Sequence, residues 1–213
     1  MERWESFGIG DWGLYQDKEL GAFTEDPIRL VHFMRMGKKD RCADLGTGNG
    51  IIPLYAAALY GGSWTGLDIC KEQLLLCRAS AERNGADMAF VEGDVAEAPA
   101  LLGRGRFDIV TCNPHYYTGE EACANENRTR CRHGQGPEAF IQAAFSLLNN
   151  GGKFYICYKA KNLCPLLCLL RENRLEPKRM ELVCSKGRGE LVLLEAKKLA
   201  KTGMDIFVSD RET

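Results

Sequence analysis

The chain has 213 residues, a net charge of −1 and a 45% share of hydrophobic residues. This length is enough to form the hydrophobic core of one domain without disulfides or bound metal ions to stabilise it. The longest apolar run, Ile51 to Tyr60, is too short to span a bilayer, and the first residues show no basic stretch followed by an apolar one. We therefore expect a cytoplasmic protein with no membrane partner.

The predicted elements alternate along the chain between short apolar strands and longer amphipathic helices. The strands are predicted at Arg41–Leu45, Trp64–Ile69, Met88–Glu92, Phe107–Cys112, Gly152–Tyr158, Glu176–Cys184 and Gly189–Ala196. The helices are predicted at Ile51–Tyr60, Lys71–Asn84, Glu138–Leu148 and Lys161–Glu172. Such alternation predicts an α/β fold with a doubly wound, mostly parallel sheet of seven strands.

Only Ser185-Lys186-Gly187-Arg188 separates the last two predicted strands, so they are expected to form an antiparallel hairpin. Two stretches lack clean periodicity, residues 1–36 and residues 117–136. The second stretch is long for a loop inside a compact domain, and loops of this length are usually functional or disordered. We interpret the chain as a single domain over residues 1–213, with residues 117–136 as a loop on the substrate side.

A glycine-rich turn, Asp44-Leu45-Gly46-Thr47-Gly48-Asn49-Gly50, follows the first of these strands and precedes a helix. Glycines at such a turn let the backbone approach a nucleotide-like ligand. Their spacing is not Gly-x-Gly-x-x-Gly, which weakens an NAD interpretation. A carboxylate at Asp44 would repel a pyrophosphate but attract a sulfonium or ammonium group. The turn therefore favours S-adenosylmethionine as cofactor.

Acidic residues also follow the next two predicted strands. Asp68 is placed to accept hydrogen bonds from both ribose hydroxyls, and Asp94 to accept one from the adenine amine. Either aspartate alone could simply cap a helix, but three acidic strand ends in one sheet are hard to ascribe to chance. The predicted cofactor contacts at this edge are Asp44, Gly46, Thr47, Gly48, Asn49, Gly50, Asp68, Ile69, Asp94, Val95 and Asn113.

The stretch Asn113-Pro114-His115-Tyr116 follows the strand Phe107–Cys112. An exocyclic amino nitrogen is a poor nucleophile until its lone pair turns out of the ring plane, and two acceptors aimed at its hydrogens favour that state. The Asn113 side-chain oxygen and the Pro114 carbonyl are predicted to be these acceptors, and Tyr116 is predicted to stack on a base. We therefore predict Asn113, Pro114 and Tyr116 as the catalytic residues. The alternative is an ordinary turn, for which Asn-Pro is a common dipeptide.

On these motifs the chain resembles class I S-adenosylmethionine-dependent N-methyltransferases that carry Asn-Pro-Pro-Tyr. It is most similar to the bacterial tRNA(Val) adenosine N6-methyltransferase family, which modifies the adenosine just 3′ of the anticodon. The resemblance extends over Gln16 through Pro27, Asp44 through Pro53, Gly66-Leu67-Asp68-Ile69, Phe107 through Tyr116, Cys131-Arg132-His133 and Leu175 through Arg179 with the following hairpin. It implies a class I methyltransferase fold and residues 1–36 covering the cofactor, with contacts from Gln16, Phe23 and Asp26.

His115 stands where these enzymes usually have a second proline. Its ring could titrate beside the substrate, or the position could tolerate change because Asn113, Pro114 and Tyr116 keep their contacts.

The charge is unevenly distributed, with 15 basic against 21 acidic residues in 1–150 and 13 against 8 in 151–213. A basic C-terminal part suits an anionic partner, although such an imbalance is often only solvated surface. With tRNA as the expected partner, the predicted substrate contacts are His115, Tyr116, Tyr117, Arg128, Arg130, Arg132, His133, Lys178 and Lys186.

Other functions remain open for this sequence. The same tetrapeptide serves glutamine N5-methylation in peptide release factors, whose enzymes carry a helical domain ahead of the catalytic one. Guanine-N2 methylation of ribosomal RNA and a non-catalytic RNA-binding protein on the same fold are further alternatives. Three histidines and the lack of a Cys-x-x-Cys pair argue against a metal site, and the ten cysteines are expected to be reduced thiols. We expect a monomer or a weak homodimer.

Overall fold

The computed structural model describes residues 2–17, 20, 24–114 and 136–211 of the chain. Eight strands in this part form one sheet, and two more form a separate N-terminal hairpin. The hairpin strands are β1 (Glu2–Ser6) and β2 (Gly13–Asp17). The sheet strands are β3 (Arg41–Leu45), β4 (Ser63–Asp68), β5 (Met88–Glu92), β6 (Phe107–Cys112), β7 (Leu148–Lys159), β8 (Leu175–Ser185), β9 (Arg188–Lys198) and β10 (Asp205–Asp210).

The strand order across the sheet is β10-β8-β9-β7-β6-β3-β4-β5. All neighbouring pairs are parallel except β7 with β9 and β8 with β9, so the predicted antiparallel hairpin is confirmed. The doubly wound, mostly parallel α/β fold is also confirmed. The predicted number of seven sheet strands is wrong, because β10 pairs in parallel with β8 and adds an eighth strand at the edge.

Helices cover both faces of the sheet and divide the core into two clusters. On one face lie α1 (Glu25–Phe33), α2 (Ile51–Tyr60) and α3 (Lys71–Arg83). On the other lie α4 (Ala98–Leu101), α5 (Pro137–Leu147) and α6 (Leu163–Glu172), with short 3-10 turns at Val95–Glu97 and Ala160–Asn162. The strands between these two layers are therefore apolar on both faces, as expected for a parallel sheet.

The N-terminal hairpin packs along α3 and lies within residues 1–36, a stretch without clean periodicity. The Gly13 backbone exchanges two hydrogen bonds with the Asn84 side chain, and the Tyr15 N–H donates to Ser80 Oγ at 2.8 Å. Further along, Gln73 Nε2 donates to the Leu20 carbonyl at 3.2 Å. The contacts of Gly13, Tyr15 and Leu20 thus fall in reverse order along α3, from its last residues back to its first turn.

A buried ion pair links β8 to β9 beneath the end of α1. Arg179 Nη1 lies 2.9 Å from Glu195 Oε2, and the two side chains are 13% and 9% exposed. The Tyr155 hydroxyl donates to the same carboxylate oxygen at 2.9 Å, and Arg179 also donates to the Phe33 carbonyl at 3.2 Å. This network joins the end of α1 to the sheet.

Candidate active site at the carboxyl edge of the sheet

The carboxyl ends of the parallel strands β3, β4, β5, β6 and β7 meet at one edge of the sheet, where ligands of open α/β folds bind. The glycine-rich turn lies here, between β3 and α2. Gly46, Gly48 and Gly50 have φ of 68°, 54° and 80°, a left-handed region that favours glycine. A Cβ added at Gly48 would meet no atom within 4 Å among the described residues, so the space beside this backbone is open to a ligand.

Asp44 supplies the carboxylate of the turn, and this residue is buried, at 1% exposure. Thr111 Oγ1 on β6 donates to Asp44 Oδ1 at 2.6 Å. Burial raises the pKa of Asp44 to about 7, against the lowering effect of the Thr111 hydrogen bond. Asp44 Oδ2 and the Thr47 hydroxyl are buried without a hydrogen bond among the described residues. An unsatisfied carboxylate oxygen in the turn fits a site for a cationic ligand.

Asp68 ends β4 and holds the glycine-rich turn in place. Its Oδ2 accepts from the Gly48 N–H and its Oδ1 from the Cys70 N–H, both at 2.8 Å. An ionised carboxylate has about four acceptor positions, so each oxygen keeps capacity for a ribose hydroxyl. The half-buried Ile69 follows directly and supplies an apolar surface next to that position.

Asp94 lies after β5, as predicted, and caps the 3-10 turn Val95–Glu97. Its Oδ1 accepts from the Ala96 N–H at 2.8 Å, and Glu97 completes a capping box. The capping explanation is therefore correct for Asp94, and the adenine contact stays a prediction. Val95 is buried in the hydrophobic core.

Asn113 and Pro114 follow β6 at the centre of the edge. Cys112 of β6 pairs with Leu45 of β3, so Asn113 follows one strand where Gly46 follows its neighbour. Adjacent strands lie about 4.8 Å apart, which brings the predicted acceptors close to the glycine-rich turn. Asn113 is half-buried and Pro114 is buried.

Thr111 is a residue that the sequence reasoning missed. It is fully buried within the apolar strand β6, and it orients Asp44 from the neighbouring strand. A polar residue in an otherwise apolar central strand was the available signal, because a buried hydroxyl requires a partner.

Of the predicted residues in the N-terminal segment, the structure places Gln16 and Asp26. Gln16 Nε2 donates to Glu5 Oε2 at 2.6 Å within the β1–β2 hairpin. Asp26 lies in the first turn of α1 and forms an ion pair with Arg211, which follows β10. The contact to Arg211 directs Asp26 towards the ends of β8 and β10, on the far side of β6 from Asp44. The predicted contact Phe23 lies outside the described residues.

The predicted substrate residues are brought together only in part. Lys186 lies in the β8–β9 turn, at the same edge as Asn113. Lys178 lies near the start of β8, and its Nζ donates to the Lys201 carbonyl at 3.2 Å. At about 3.3 Å per residue it is roughly 26 Å from Lys186, at the opposite edge, so the structure does not bring Lys178 to the site. The remaining predicted contacts lie outside the described residues: His115, Tyr116, Tyr117, Arg128, Arg130, Arg132 and His133.

Three further observations concern the expectations about metals, membranes and thiols. No cluster of three or more His, Cys, Asp or Glu residues placed for a metal ion occurs in the described part of the chain. None of the described helices combines the length and the apolar character needed to cross a membrane. Seven of the described cysteines are free thiols: Cys42, Cys77, Cys112, Cys157, Cys164, Cys168 and Cys184. Cys70 is disulfide-bonded, so the expectation of ten reduced thiols is wrong.

Comparison with known proteins gives a family match over most of the chain. A family model described as a methyltransferase domain matches residues 37–188. Among curated relatives, the release factor glutamine methyltransferase of Bacillus subtilis is 39% identical over 107 residues, which cover 49% of this chain and 33% of that protein. The tRNA1(Val) (adenine(37)-N6)-methyltransferase of Porphyromonas gingivalis is 28% identical over 142 residues, covering 63% and 53%. The chain spans 31% to 44% of the length of four release factor and ribosomal protein L11 methyltransferases that it matches.

Solved structures share the fold at low sequence identity. The Thermus thermophilus 16S rRNA N2 G1207 methyltransferase, in complex with AdoMet and guanosine, superimposes with a TM-score of 0.67 at 19% identity, covering 93% of this chain and 50% of that one. An Agrobacterium tumefaciens protein described as a predicted O-methyltransferase gives a TM-score of 0.67 at 20% identity, covering 87% and 85%.

Proposed function

Because this chain belongs to the methyltransferase-domain family, we propose that it transfers the methyl group of S-adenosylmethionine to N6 of an adenosine in tRNA. The proposed target is the anticodon-loop adenosine 3′ of the anticodon in tRNA(Val). The observation that carries the proposal is the position of Asn113 and Pro114 after β6, directly beside the glycine-rich turn that follows β3.

The residues that fit the cofactor follow one another along the edge. Asp44 offers a buried, unsatisfied carboxylate oxygen to the positive charge of the cofactor. Asp68 offers ribose acceptors from the end of β4, and Asp94 an adenine acceptor from the end of β5. The sulfonium of S-adenosylmethionine supplies an electrophilic methyl group. Gln16 and Phe23 are proposed as contacts of the covering segment, on the resemblance alone, whereas Asp26 pairs with Arg211 on the other side of β6 and is not proposed as a cofactor contact.

The chemistry requires the target nitrogen to present its lone pair. The Asn113 Oδ1 and the Pro114 carbonyl are proposed to accept the two N–H hydrogens of the amino group. These hydrogen bonds strengthen as positive charge develops on the nitrogen, so they stabilise the transition state more than the ground state. No strong general base is needed, because the nitrogen becomes acidic only after transfer. The proposed role of Tyr116 is to stack on the base.

A tRNA substrate is supported by the relatives that act on tRNA1(Val), since two of them align over more than 60% of this chain. An adenosine in an anticodon loop is already unpaired, so its extrusion into a pocket costs little. Glutamine methylation in a release factor is the second candidate. It is supported by the 39% identity to the Bacillus subtilis enzyme, over a shorter alignment, and by chemistry, because a primary amide presents the same two hydrogens.

The proposal is tested by incubating the protein with methyl-labelled S-adenosylmethionine and either unmodified tRNA(Val) or a release factor with an unmodified glutamine. We expect label in N6-methyladenosine after digestion of the tRNA, and none when the target adenosine is replaced by guanosine. Label in the release factor alone would replace this proposal with the second candidate. Cofactor binding without transfer to either substrate would contradict both.

A further inference from the structure

A cleft lies at the carboxyl edge beyond β7, on the opposite side of β6 from the cofactor residues. It has a volume of about 370 Å³ and a floor formed by Gly189 and Leu191 at the start of β9. Five charged side chains line its walls: Asp26, Lys159, Lys161, Glu190 and Arg211. Three of these are cationic and two are anionic, so the cleft carries a net positive charge.

Arg211 is fixed in the cleft wall by the two acidic residues. Asp26 Oδ1 accepts from its Nη2, and Glu190 Oε2 lies 3.8 Å from its Nε. The second distance is too long for a hydrogen bond, and the Nε is buried without a partner in the described residues. The Arg211 backbone N–H donates to the Cys184 carbonyl at 2.7 Å. A rigidly held guanidinium with donors to spare suits an anionic oxygen ligand.

The two lysines place this positive charge close to Asn113. Ile156 of β7 pairs with Cys112 of β6, and Lys159 lies three residues further along β7. Strand geometry then gives roughly 11 Å between the Cα atoms of Lys159 and Cys112. Lys161 is exposed at the mouth of the cleft, one turn further on.

The edge is thus divided by charge at β6. Asp44, Asp68 and Asp94 lie on the β3–β5 side, which suits a cationic cofactor. Lysines and arginines dominate the other side, which suits a polyanion. We propose that this cleft binds a backbone phosphate of the RNA strand next to the target adenosine, with Lys159, Lys161 and Arg211 as its ligands. This inference rests on the proposed function and assigns its substrate a second contact site, away from the reacting base.

The first test compares K159A/K161A with a matched control, K38A/K39A, which removes two exposed lysines from the opposite edge of the sheet. Binding of a tRNA(Val) anticodon stem-loop is measured by fluorescence anisotropy over a series of salt concentrations. We expect K159A/K161A to bind about tenfold more weakly and to lower the steepness of the log–log salt dependence by about 0.7, which is the loss of one phosphate contact. The control should match the native protein, and S-adenosylmethionine affinity should be the same in all three proteins.

The second test asks whether the cleft contacts one particular phosphate. Each phosphate within three nucleotides of the target adenosine is replaced in turn by an uncharged methylphosphonate. One replacement should weaken binding to the native protein yet leave binding to K159A/K161A unchanged, because the contact is already lost. If every replacement weakens binding to both proteins equally, the cleft holds no phosphate and the inference fails.

Failure of the inference differs from failure of the proposed function. Native-like RNA binding and methylation by K159A/K161A, with tRNA methylated by the native protein, would refute the phosphate site alone. A native protein that methylates a release-factor glutamine and binds the stem-loop with a flat salt response would refute both. A unique phosphate coupling together with N6-methyladenosine formation would support both.

Discussion

The buried Asp44 predicts an unusual dependence of stability on pH. Its ordinary pKa of 3.8 is raised to about 7, mainly by burial. The folded protein therefore holds a proton at this side chain between these pH values that the unfolded chain has released. About three pKa units at 1.36 kcal/mol each give roughly 4 kcal/mol. This stability is fully present below pH 3.8, is lost as the pH rises towards about 7, and changes no further above it.

The perturbation that tests this is Asp44→Asn, which keeps the shape of the protonated side chain and cannot ionise. Without cofactor, the variant should exceed the native protein in stability above pH 7 by as much as ~4 kcal/mol, and this excess should vanish towards pH 4. At roughly 2–4 °C per kcal/mol for a domain of this size, the melting temperature should rise by about 10 °C. Thermal and urea unfolding at closely spaced pH values measure both quantities.

The exposed Asp87 provides the control, since Asp87→Asn should follow the native pH curve. Parallel curves for the native protein and Asp44→Asn would refute the argument, because they would show no proton bound to folded Asp44 at neutral pH. The cofactor adds a check of opposite sign. A cationic ligand binds the ionised carboxylate, so the native affinity for S-adenosylmethionine should fall below pH 7, and Asp44→Asn should weaken binding at pH 8.

Four other variants separate binding, chemistry and stability. Asp68→Ala should weaken S-adenosylmethionine binding by roughly 1.5–3 kcal/mol in calorimetry, since it removes a charged hydrogen-bond acceptor, and unchanged affinity would move the ribose site elsewhere. Asn113→Ala should lower kcat by about 100-fold or more at nearly native cofactor affinity, and near-native turnover would contradict the proposed acceptor role. Arg179→Met should cost roughly 3–5 kcal/mol in urea unfolding because it leaves the Glu195 carboxylate buried without its partner. Arg41→Met, which breaks an exposed ion pair, should cost about 1 kcal/mol or less, and equal losses would show that burial of the Arg179 pair is unimportant.

Much of the sheet was predictable because its strands carry strong local signals. The predicted bounds of β3, β5 and β6 agree with the structure, and the short Ser185–Arg188 connection correctly indicated a hairpin. Strand β10 was missed because Asp205–Asp210 is short and acidic at both ends, and because it pairs with β8 across the sheet edge. Nothing in its own sequence encodes that distant partner.

The site was predictable where it depends on strand ends, and less so where it depends on contacts between distant residues. The three aspartates lie at or just after the ends of β3, β4 and β5, as the alternating pattern predicted. The pairing of Asp26 with Arg211 joins residues 185 positions apart, so no local pattern reveals it. The burial that raises the pKa of Asp44 likewise depends on the packing of both helical layers. The N-terminal hairpin was hidden because its stability comes from hydrogen bonds to α3 rather than from an apolar repeat.

The strand order also gives the chain a modular organisation. Strands β3, β4 and β5 come from the first half of the sequence and lie together at one side of the sheet, while β6 and all later strands lie at the other side. The two groups meet where β3 pairs with β6, and we call this boundary the seam. Among the helices of the described residues, two cross this seam: α1 packs on β7 and β9, and α5 packs on α4 and the 3-10 turn Val95–Glu97. Substitutions after residue 106 can therefore reshape what the molecule accepts while the half that carries Asp44, Asp68 and Asp94 is conserved. Evolution or directed engineering can exchange specificity at this seam, and an exchange that kept the contacts of both α1 and α5 across it would preserve the packing between the halves.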